Sequence, residues 1–342
     1  MTGRTIVYLP NWVGDMVMAT PFLQSLRQTV TGEVWCIGKT NAMHIYHGLE
    51  LFDRFVPYDR KGFIPFLDAV GALKNFRFDL GVTLSHSFRS ALLFYGAHVR
   101  ERIGYSRNKR GFMLTRHVPE GEGLDPTVEH YLKIIDLLGG RRVADAPVLA
   151  VTEDEESRFD HGHMDIAGPY AVFITGAQYG PSKRWPDTHF SVLADMLAEN
   201  LDMKVYLLPG KGEEKTAHGI AEGAKHKDRV IVKSLDMRDL KVCISRASVV
   251  ISNDTGPRHI AAGLSVPLVV LLGPMDEIYT RYPSPLTRLA IKDIPCRPCN
   301  RKSCDRDHEC LKGISPKEVF TKVESVLYDQ SAKRREKRNQ AD

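Results

Sequence analysis

The chain has 342 residues, of which 43% are hydrophobic and 26% charged, and this composition excludes a disordered or fibrous protein. Its 47 Lys and Arg residues exceed its 42 Asp and Glu residues by five, and residues 333–338 (KRREKR) alone supply a net +4 of that excess. The rest of the chain is therefore nearly neutral, which argues against a nucleic-acid-binding protein, and the length suits two domains.

No apolar segment has the length or flanks of a secretion signal or a membrane-spanning helix. The first apolar run, Thr5–Leu9, is closed by Pro10, and the run Val266–Leu272 ends at Gly273 and Pro274. We therefore expect a cytoplasmic protein, in which six cysteines do not indicate a disulfide scaffold.

Apolar β-rich runs alternate with helical patterns along nearly the whole chain, which predicts an α/β protein with doubly wound parallel sheets. In the first half, the predicted strands are Thr5–Leu9, Glu33–Ile37 and Asp79–Leu84, and the predicted helices are Met16–Gln28, Phe63–Lys74, Arg89–Ala97 and Val128–Leu138. In the second half, the predicted strands are Tyr170–Ile174, Lys204–Leu208, Arg229–Val232, Ser248–Ser252 and Val266–Leu272, and the predicted helices are Asp187–Glu199, Glu213–Ala224, Asp239–Ser245 and Pro257–Gly263. A last helix is predicted after Ser315, where a Ser-Pro-Lys-Glu sequence matches a capping box.

Residues 153–165 (EDEESRFDHGHMD) separate the two halves and form either a linker or a surface helix followed by a loop. On each side of them a strand is followed by a Gly-containing loop and a helix, at residues 5–15 and 171–183. We therefore predict two doubly wound domains, residues 1–160 and 166–328, followed by a basic tail at 329–342. Ligands bind at the carboxyl ends of strands in such sheets, so both loops are candidate walls of a site.

Three short nucleotide-binding motifs are incomplete. Residues 38–40 (GKT) resemble the end of a P-loop, but five residues rather than four separate Gly32 from the second glycine. Residues 210–212 (GKG) are followed by Lys215 where a dinucleotide fingerprint needs its third glycine. Residues 305–307 (DRD) do not follow an apolar strand, so they do not indicate a metal–diphosphate carboxylate pair.

One predicted strand of the second half, Ser248–Ser252, runs through an Asn-Asp-Thr-Gly loop into a helix. Free backbone N–H groups and the positive end of the helix dipole meet at Asp254, Thr255 and Gly256, which makes this loop a candidate phosphate site. Gly256 would allow a ligand to approach the backbone closely, and His259 would reach a phosphate or sugar oxygen. An ordinary helix cap formed by Asp254 or Thr255 explains the pattern equally well.

The loop at residues 175–186 carries two glycines and then Lys183 and Arg184, just before the next helix. A lysine here would neutralise a diphosphate as a compact point charge. The alternative is a solvated loop cation with Trp185 packed underneath.

The loop after the first strand leads to Asp15, which follows Gly14 at the start of an otherwise apolar helix. An acidic residue there stabilises a helix N-terminus. It is also well placed as a general base, with a pKa raised through partial desolvation by Trp12 and the neighbouring methionines. Both interpretations stay open at this point.

Four stretches of the chain together resemble one family. They are, in order, residues 11–28 (NWVGDMVMATPFLQSLRQ), 85–94 (SHSFRSALLF), 176–186 (GAQYGPSKRWP) and 253–274 (NDTGPRHIAAGLSVPLVVLLGP). The chain resembles the ADP-heptose:lipopolysaccharide heptosyltransferases, glycosyltransferase family nine, and among them most the heptosyltransferase II type. The resemblance implies a GT-B architecture, in which two Rossmann-like domains face each other across a cleft, and an inverting transfer that needs no catalytic metal or other cofactor.

The resemblance also implies roles for individual residues. Asp15 corresponds to the catalytic base, and Lys183 to the lysine that holds the diphosphate of the donor. The ribose-binding acidic residue corresponds to Glu214, with Glu213 one position away. The other positions expected to contact the nucleotide sugar are Gly14, Thr175, Asp254, Thr255, Gly256 and His259.

The acceptor would meet a basic segment, residues 98–117, which holds six Arg or Lys and one Glu. The segment is either a solvated basic face or, as the resemblance implies, a patch for the acidic Kdo sugars of the lipopolysaccharide inner core. The residues expected to bind the acceptor are Arg89, Arg107, Lys109 and Arg110. The basic tail would add weak attraction to anionic lipid at the cytosolic face of the inner membrane.

Four of the six cysteines, Cys296, Cys299, Cys304 and Cys310, are closely spaced. Their spacing is compatible with a structural zinc site, although free or redox-labile thiols are favoured. The remaining two, Cys36 and Cys243, lie in apolar surroundings and are expected in the core.

The expected activity is the transfer of heptose from ADP-heptose to the heptosylated Kdo core of lipopolysaccharide. One alternative is an enzyme of the heptosyltransferase I or III type, which differs in its acceptor. Another is a protein that binds nucleotide sugars without catalysis, although the presence of both Asp15 and Lys183 argues against it.

Overall fold

The structure is a computed structural model and describes residues 3–59, 62–119, 124–166 and 168–339, without the side chains of 333–339. The chain divides into two compact units, Met1–Ala150 with Ile278–Pro283, and Val151–Glu277 with Ser284–Asp342. Each unit contains a six-stranded parallel sheet, which confirms the predicted fold class. Among the described residues, no helix combines the length and the apolar character needed to cross a membrane.

The strands of the first unit are β1 (Thr5–Tyr8), β2 (Val34–Gly38), β3 (Arg54–Pro57), β4 (Leu80–Thr83), β5 (Glu101–Gly104) and β6 (Arg116–His117). Its helices are α1 (Val13–Met18), α2 (Thr20–Thr29), α3 (Asn41–Tyr46), α4 (Ile64–Lys74), α5 (Phe88–Gly96) and α6 (Thr127–Leu137), with a 3₁₀ turn at Gly111–Met113. The strands are arranged in the order β3-β2-β1-β4-β5-β6.

The strands of the second unit are β7 (Tyr170–Ile174), β8 (Lys204–Leu207), β9 (Val230–Val232), β10 (Val249–Asn253), β11 (Leu268–Leu271) and β12 (Thr287–Ala290). Its helices are α7 (Glu153–Gly162), α8 (Asp187–Leu201), α9 (Glu214–Gly223), α10 (Met237–Arg246), α11 (Gly256–Gly263), α12 (Glu309–Lys312) and α13 (Pro316–Asn339), with 3₁₀ turns at Pro181–Lys183 and Lys227–Arg229. The order β12-β11-β10-β7-β8-β9 repeats that of the first sheet when the strands are counted from β7.

The central strands of both sheets form the core. Every residue of β1, β7 and β10 is buried, because helices cover both faces of a parallel sheet and the strand must be apolar throughout. These continuous apolar runs are the strands that the sequence predicts. The strands that it misses, β3, β5, β6 and β12, lie toward the sheet edges, carry charged residues and are less buried.

The predicted helix Met16–Gln28 is divided at Ala19 into α1 and α2. Pro21 has no N–H group to bond the carbonyl of Val17, and the hydroxyl of Thr20 donates to that carbonyl instead, over 2.8 Å. The division leaves α1 as a short helix whose first turn carries Asp15.

The structure confirms the helix predicted after Ser315 and, of the two alternatives for residues 153–165, has the surface helix. The acidic segment 153–165 begins as α7, with a capping box formed by Thr152 and Glu155. In α13, the backbone N–H of Glu318 donates to the Ser315 hydroxyl over 3.2 Å. The helix continues to Asn339, so the basic run 333–338 belongs to it, but the side chains of that run lie outside the described residues.

Each sheet has a point where the strand order reverses, between β1 and β4 in the first unit and between β7 and β10 in the second. Adjacent loops leave such a point in opposite directions and open a crevice at the carboxyl ends of the strands, where ligands bind. Asp15 follows β1, Lys183 follows β7, and Asp254 follows β10.

Candidate active site

Asn253, the last residue of β10, connects the two loops at the reversal point of the second sheet. Its side chain is fully buried; Nδ2 donates to the Thr175 carbonyl over 2.6 Å, and Oδ1 accepts from the Trp185 backbone N–H over 3.1 Å. Thr175 and Trp185 flank the loop that carries Lys183. One amide therefore holds both ends of the lysine loop against β10, a contact that the sequence analysis did not anticipate.

Lys183 lies against the loop that follows β10. Its Nζ donates to Oδ2 of Asp254 over 2.7 Å and to the Asp254 carbonyl over 3.2 Å. The other carboxylate oxygen of Asp254 accepts from Nε of Arg258 over 2.9 Å. Burial alone would raise the pKa of Asp254, but the charges of Arg258 and Lys183 outweigh it and lower the pKa to about 2.

Asp254 is thus ionised at any physiological pH, and its charge fixes two cations. The lysine is not a solvated loop cation, because its side chain is 12% exposed and its ammonium is paired. Two cations around one carboxylate leave a net charge of +1, so the cluster retains attraction for an anion. Asp254, just before α11, and Arg258, in its first turn, are four residues apart, a spacing that the sequence itself shows.

The first turn of α11 is free of side-chain caps. Thr255 is the N-cap residue and makes no side-chain cap hydrogen bond, while the Asp254 carboxylate is occupied by Lys183 and Arg258. The interpretation of this segment as an ordinary side-chain cap is therefore wrong. Thr255 and Gly256 are partly exposed, so the helix N-terminus beside Lys183 has the features of an anion-binding site.

His259 lies further along α11 and is buried. Burial, together with the charge of Arg258, lowers the pKa of His259 well below its usual range, so the imidazole is neutral. A neutral ring is compatible with hydrogen bonding to a sugar or phosphate oxygen, which stays a prediction.

Glu213 and Glu214 differ sharply in placement. The Glu213 carboxylate accepts from the Gly210 N–H over 2.9 Å and lies 4.0 Å from the Arg184 guanidinium. It also packs on the loop after β7, since a Cβ added at Gly176 would lie 1.7 Å from its Oε2. Glu214 is exposed at the start of α9. Of the two carboxylates, Glu213 is the one that faces the lysine loop.

A second segment, residues 300–302, braces the lysine loop. The Tyr179 hydroxyl donates to the carbonyl of Asn300 over 2.8 Å, and the Ser182 hydroxyl donates to that of Arg301 over 2.6 Å. The Tyr179 ring lies 4.9 Å from Nζ of Lys183 and 5.6 Å from Nζ of Lys302. The only sequence signal for this support was the long irregular stretch between β12 and α12, a type of segment that often has a function.

The cysteines are all free thiols. Cys36 and Cys243 are buried in the core, as predicted. The four late cysteines and His308 line one small cavity beside Ser182. Over the described ranges, no three His, Cys, Asp or Glu side chains are arranged to hold a metal ion.

Asp15 lies in the first turn of α1, at the reversal point of the first sheet. Burial raises its pKa to about 6, as the sequence analysis anticipates. The Asp15 charge contributes to the raised pKa values of Tyr46 and Tyr131, so both phenols are close to it. Trp12 is 61% exposed, whereas Met16 and Met18 are buried, and the part of the indole in this desolvation stays a prediction.

The loop after β4 adds a histidine pair that the sequence analysis missed. Nε2 of His86 and Nε2 of His130 lie 3.1 Å apart, and the His130 ring stacks on Tyr105 with 3.6 Å between centroids. Burial, followed by the charges of His86 and Arg107, lowers the pKa of His130 to about 3. His130 therefore offers a neutral imidazole at the same edge of the sheet as Asp15.

The predicted acceptor residues separate into two groups. Arg107 and Lys109 are exposed, and Arg89 donates to the Tyr58 hydroxyl (2.9 and 2.7 Å) and to the Gly62 carbonyl (2.6 Å). Arg110 is wholly buried, and the prediction that it belongs to a surface patch is wrong.

The Arg110 guanidinium donates to the carbonyls of Tyr105 (2.8 Å), Ser87 (3.1 Å) and Ser85. These bonds satisfy backbone acceptors of the loops that follow β4 and β5, which explains why a cation is retained in the interior. Arg110 therefore shapes the wall that carries His86, and it cannot contact a ligand at the surface.

Comparison with known proteins decides the family. The sequence profile of glycosyltransferase family 9 (heptosyltransferase) matches residues 68–309. The chain belongs to this family.

Several relatives of this glycosyltransferase match over most of their length. Lipopolysaccharide heptosyltransferase 2 of Salmonella typhimurium is 26% identical, with 96% of this chain and 99% of the relative covered. Lipooligosaccharide heptosyltransferase 2 of Haemophilus ducreyi is 27% identical, with 84% and 87% covered.

Two solved structures have the same fold. The E. coli ADP-heptose lps heptosyltransferase II matches with a TM-score of 0.81 and 22% identity, covering 96% of this chain and 99% of that chain. The family 9 glycosyl transferase from Veillonella parvula matches with a TM-score of 0.82 and 18% identity, covering 96% and 97%. The glycosyltransferase therefore has the GT-B type of fold.

In this glycosyltransferase, the structure brings together Lys183, Asp254, Thr255 and Gly256 at one reversal point, with Thr175 held beside them by Asn253. Gly14 is buried within α1 next to Asp15 at the other reversal point. Glu214 and Arg110 are the two predicted residues that lie apart from the surfaces described, one exposed at the start of α9 and the other enclosed in the first unit.

Proposed function

We propose that this glycosyltransferase transfers heptose from ADP-heptose to the heptosyl-Kdo inner core of lipopolysaccharide, with inversion at the anomeric carbon. The observation that carries the donor half of the proposal is the ionised Asp254, which fixes Lys183 beside the uncapped N-terminus of α11. Relatives named heptosyltransferase 2, matched over nearly their whole length, support the choice of sugar and acceptor.

The donor diphosphate would lie between the Lys183 ammonium and the backbone N–H groups of Thr255 and Gly256. The ammonium charge and the N–H dipoles are held in place before the substrate arrives. They can therefore stabilise the negative charge that develops on the departing ADP, and the site does not need to reorganise. Asp254 is a positioning residue in this scheme, since its carboxylate is paired with Lys183 and Arg258.

The ribose of the donor would be bound by Glu213, rather than by Glu214 as expected from the sequence. The Glu213 carboxylate faces the lysine loop and is held by the Gly210 N–H, whereas Glu214 is exposed. We expect Glu213→Gln to weaken ADP binding by at least about tenfold, as the loss of a hydrogen bond to a charged group costs roughly 1.5–3 kcal/mol.

The matched control for this prediction is Glu214→Gln, which removes the same charge one residue away. Titration calorimetry with ADP measures both variants. Equal ADP affinities for the two variants would contradict the assignment of the ribose contact to Glu213, and a loss confined to Glu214→Gln would assign that contact to Glu214.

Asp15 would accept the proton of the attacking acceptor hydroxyl. As the hydroxyl oxygen forms its bond to the anomeric carbon, the bond to the diphosphate oxygen breaks on the opposite face, and ADP leaves with the electron pair. A base with a pKa of about 6 is ionised at neutral pH while remaining basic enough to take the proton.

The acceptor's acidic Kdo groups would meet Arg89, Arg107 and Lys109 in the first unit. Arg107 and Lys109 are exposed, as a site for carboxylates requires. The His86–His130 pair would hydrogen-bond sugar hydroxyls of the acceptor. In the neutral ring of His130, one nitrogen donates and the other accepts. Arg110 supports this wall from the interior.

We further propose that catalysis needs no metal cofactor, because Lys183 and the α11 N-terminus supply the positive charge for the leaving diphosphate. Dialysis against EDTA is expected to leave kcat and KM unchanged. The protein is expected to carry less than about one tenth of a zinc per chain, since among the described residues no three of the late cysteines or their neighbours are arranged to hold a metal ion. A loss of turnover that added Mg²⁺ or Mn²⁺ restores would contradict the first expectation. Stoichiometric zinc by elemental analysis would contradict the second.

The acceptor is anchored in lipid, so the enzyme would work at the cytosolic face of the inner membrane as a peripheral protein.

The proposed activity is tested by supplying ADP-heptose, UDP-glucose or GDP-mannose with an acceptor that carries one heptose, and by measuring release of the nucleoside diphosphate. Of the three nucleotide sugars, only ADP-heptose is expected to support turnover. Faster turnover with another nucleotide sugar would contradict the proposed donor.

A further inference from the structure

Large apolar side chains are exposed mainly on the first unit. Among the described residues, the exposed large apolar side chains of the second unit are Met164, Val192 and Tyr328. The first unit exposes Trp12, Met43, Phe63, Ile64, Leu67, Phe76, Phe88, Tyr95, Phe112, Leu124 and Val143. Scattered exposed apolar residues need no explanation, but a concentration on one part of a molecule marks an interaction surface.

Many of these side chains follow the strands of the first sheet in spatial order. Since the strands are parallel, the segments that leave their carboxyl ends share one edge of the sheet. Going across β3, β2, β1, β4 and β5, these segments present Phe63 with Ile64, then Met43, Trp12, Phe88 and Phe112. This edge is also the one that carries Asp15.

On one part of the edge, exposed apolar side chains lie on both sides of Arg89. The rings of Phe88 and Phe112 lie 6.4 Å apart. Arg89, next to Phe88, donates to the carbonyl of Gly62, next to Phe63, over 2.6 Å. Phe63 is 71% exposed and Phe112 72% exposed. We call Phe63, Ile64, Phe88 and Phe112 the apolar edge.

Cations border the apolar edge. Arg107 and Lys109, both exposed, lie in the segment between β5 and Phe112, and Asn108 and Lys109 hold positive φ angles of 60° and 58° in that turn. Two exposed carboxylates are close in sequence to Phe63 and Ile64: Asp59, which accepts from the Thr40 N–H over 3.2 Å, and Asp68 on α4. Aromatic side chains beside Arg and Lys are the composition that binds the interface of an anionic bilayer.

We propose that the apolar edge docks on an anionic lipid bilayer, with Phe63, Ile64 and Phe112 entering the headgroup region and the positive charge of the turn at Arg107 and Lys109 attracting the anionic surface. Charge complementarity selects this occupant, since the exposed cations lie in the same turn as Phe112. The proposal rests on the proposed function in one respect, that a lipid-anchored acceptor reaches Asp15 at the same edge of the sheet.

The test is co-sedimentation of the full chain with vesicles of phosphatidylcholine alone or mixed with phosphatidylglycerol. Wild type is expected to bind the mixed vesicles, and the double variant F63S/F112S to bind them at least about tenfold more weakly. The matched control, M164S/Y328S, removes two equally exposed apolar side chains from the second unit and is expected to bind as wild type does. A third variant lacks residues 331–342.

Three results would overturn the proposal: wild-type binding by F63S/F112S, equal losses in F63S/F112S and M164S/Y328S, or complete loss on removal of residues 331–342 alone. Turnover on a water-soluble, deacylated acceptor separates this proposal from the proposed function. F63S/F112S is expected to retain that turnover. Vesicle binding by a wild type that lacks turnover would refute the proposed function and leave the docking surface intact.

Discussion

Asp15→Asn is expected to lower kcat by about 10²–10⁴-fold, the range that a general base contributes, while ADP binds as it does to wild type. The substitution keeps the size of the side chain and removes only its ability to accept a proton. Asp15 lies in the first unit, whereas the proposed diphosphate contacts belong to the second. Steady-state turnover and ADP calorimetry on the same preparation measure the two effects separately, and unchanged turnover would remove Asp15 from the mechanism.

The pH profile of the wild type provides a second measurement of the same role. Since burial raises the pKa of Asp15 to about 6, kcat/KM is expected to fall as the pH drops through 6 and the carboxylate becomes protonated. The low-pH limb should be absent from the residual activity of Asp15→Asn. The same limb in both proteins would assign it to another group.

Asp15→Asn should lower activity but raise the free energy of unfolding at neutral pH. The pKa of Asp15 is about 6 when folded against 3.8 ordinarily, so folding favours the protonated form. Its stabilising contribution is complete below pH 3.8 and is lost as the pH rises through 6. Above that pH, Asp15→Asn should be more stable than wild type, by on the order of 1–3 kcal/mol, and the difference should narrow toward pH 4. Denaturant titrations of wild type and Asp15→Asn, carried out above pH 6 and near pH 4, measure the difference in the free energy of unfolding.

Lys183→Met is expected to lower kcat/KM by about 10²–10³-fold, which is the typical loss when one preorganised electrostatic stabiliser is removed. Methionine retains much of the apolar stem and removes the ammonium that bonds Asp254. The fold should persist, because Arg258 remains paired with the Asp254 carboxylate. ADP binding is expected to weaken as well, since the diphosphate persists in the product.

The chain offers a matched control for Lys183 in Lys302. Both ammonium groups lie near the Tyr179 ring, at 4.9 and 5.6 Å from its centroid, but the Lys302 side chain is exposed and screened by solvent. Lys302→Met is expected to change kcat/KM by less than about threefold, as is typical of solvent-exposed charges. Equal losses in the two variants would show that general positive charge, and not the placement of Lys183 by Asp254, supports the reaction.

The sequence predicts the central strands well and the edge strands poorly, for a physical reason. Tyr170–Ile174 is predicted to the residue because both faces of that strand are buried and every position must be apolar. β5 and β6 lie in the segment that the sequence presents as a run of basic residues. Their pairing is set by the neighbouring strand, so local composition does not reveal it.

The candidate site shows the same division. Asp15, Lys183 and Asp254 follow strands and precede helices, and this local pattern is readable from the chain. The contacts of Asn253 with Thr175 and Trp185 join positions roughly seventy residues apart and depend on β7 lying beside β10. Burial of Arg110 is equally invisible, because a charge pattern does not show which cations the fold turns inward.

The central claim is heptosyl transfer to a core that already carries one heptose, and a single measurement tests it most directly. The protein is incubated with ADP-heptose and with core acceptors bearing zero, one or two heptoses, and the products are weighed by mass spectrometry. The account predicts one added heptose on the singly heptosylated acceptor and none on the others. Addition only to the acceptor without heptose, or only to the one with two, would contradict the proposed acceptor, and no addition to any acceptor while ADP-heptose is bound would contradict catalysis itself.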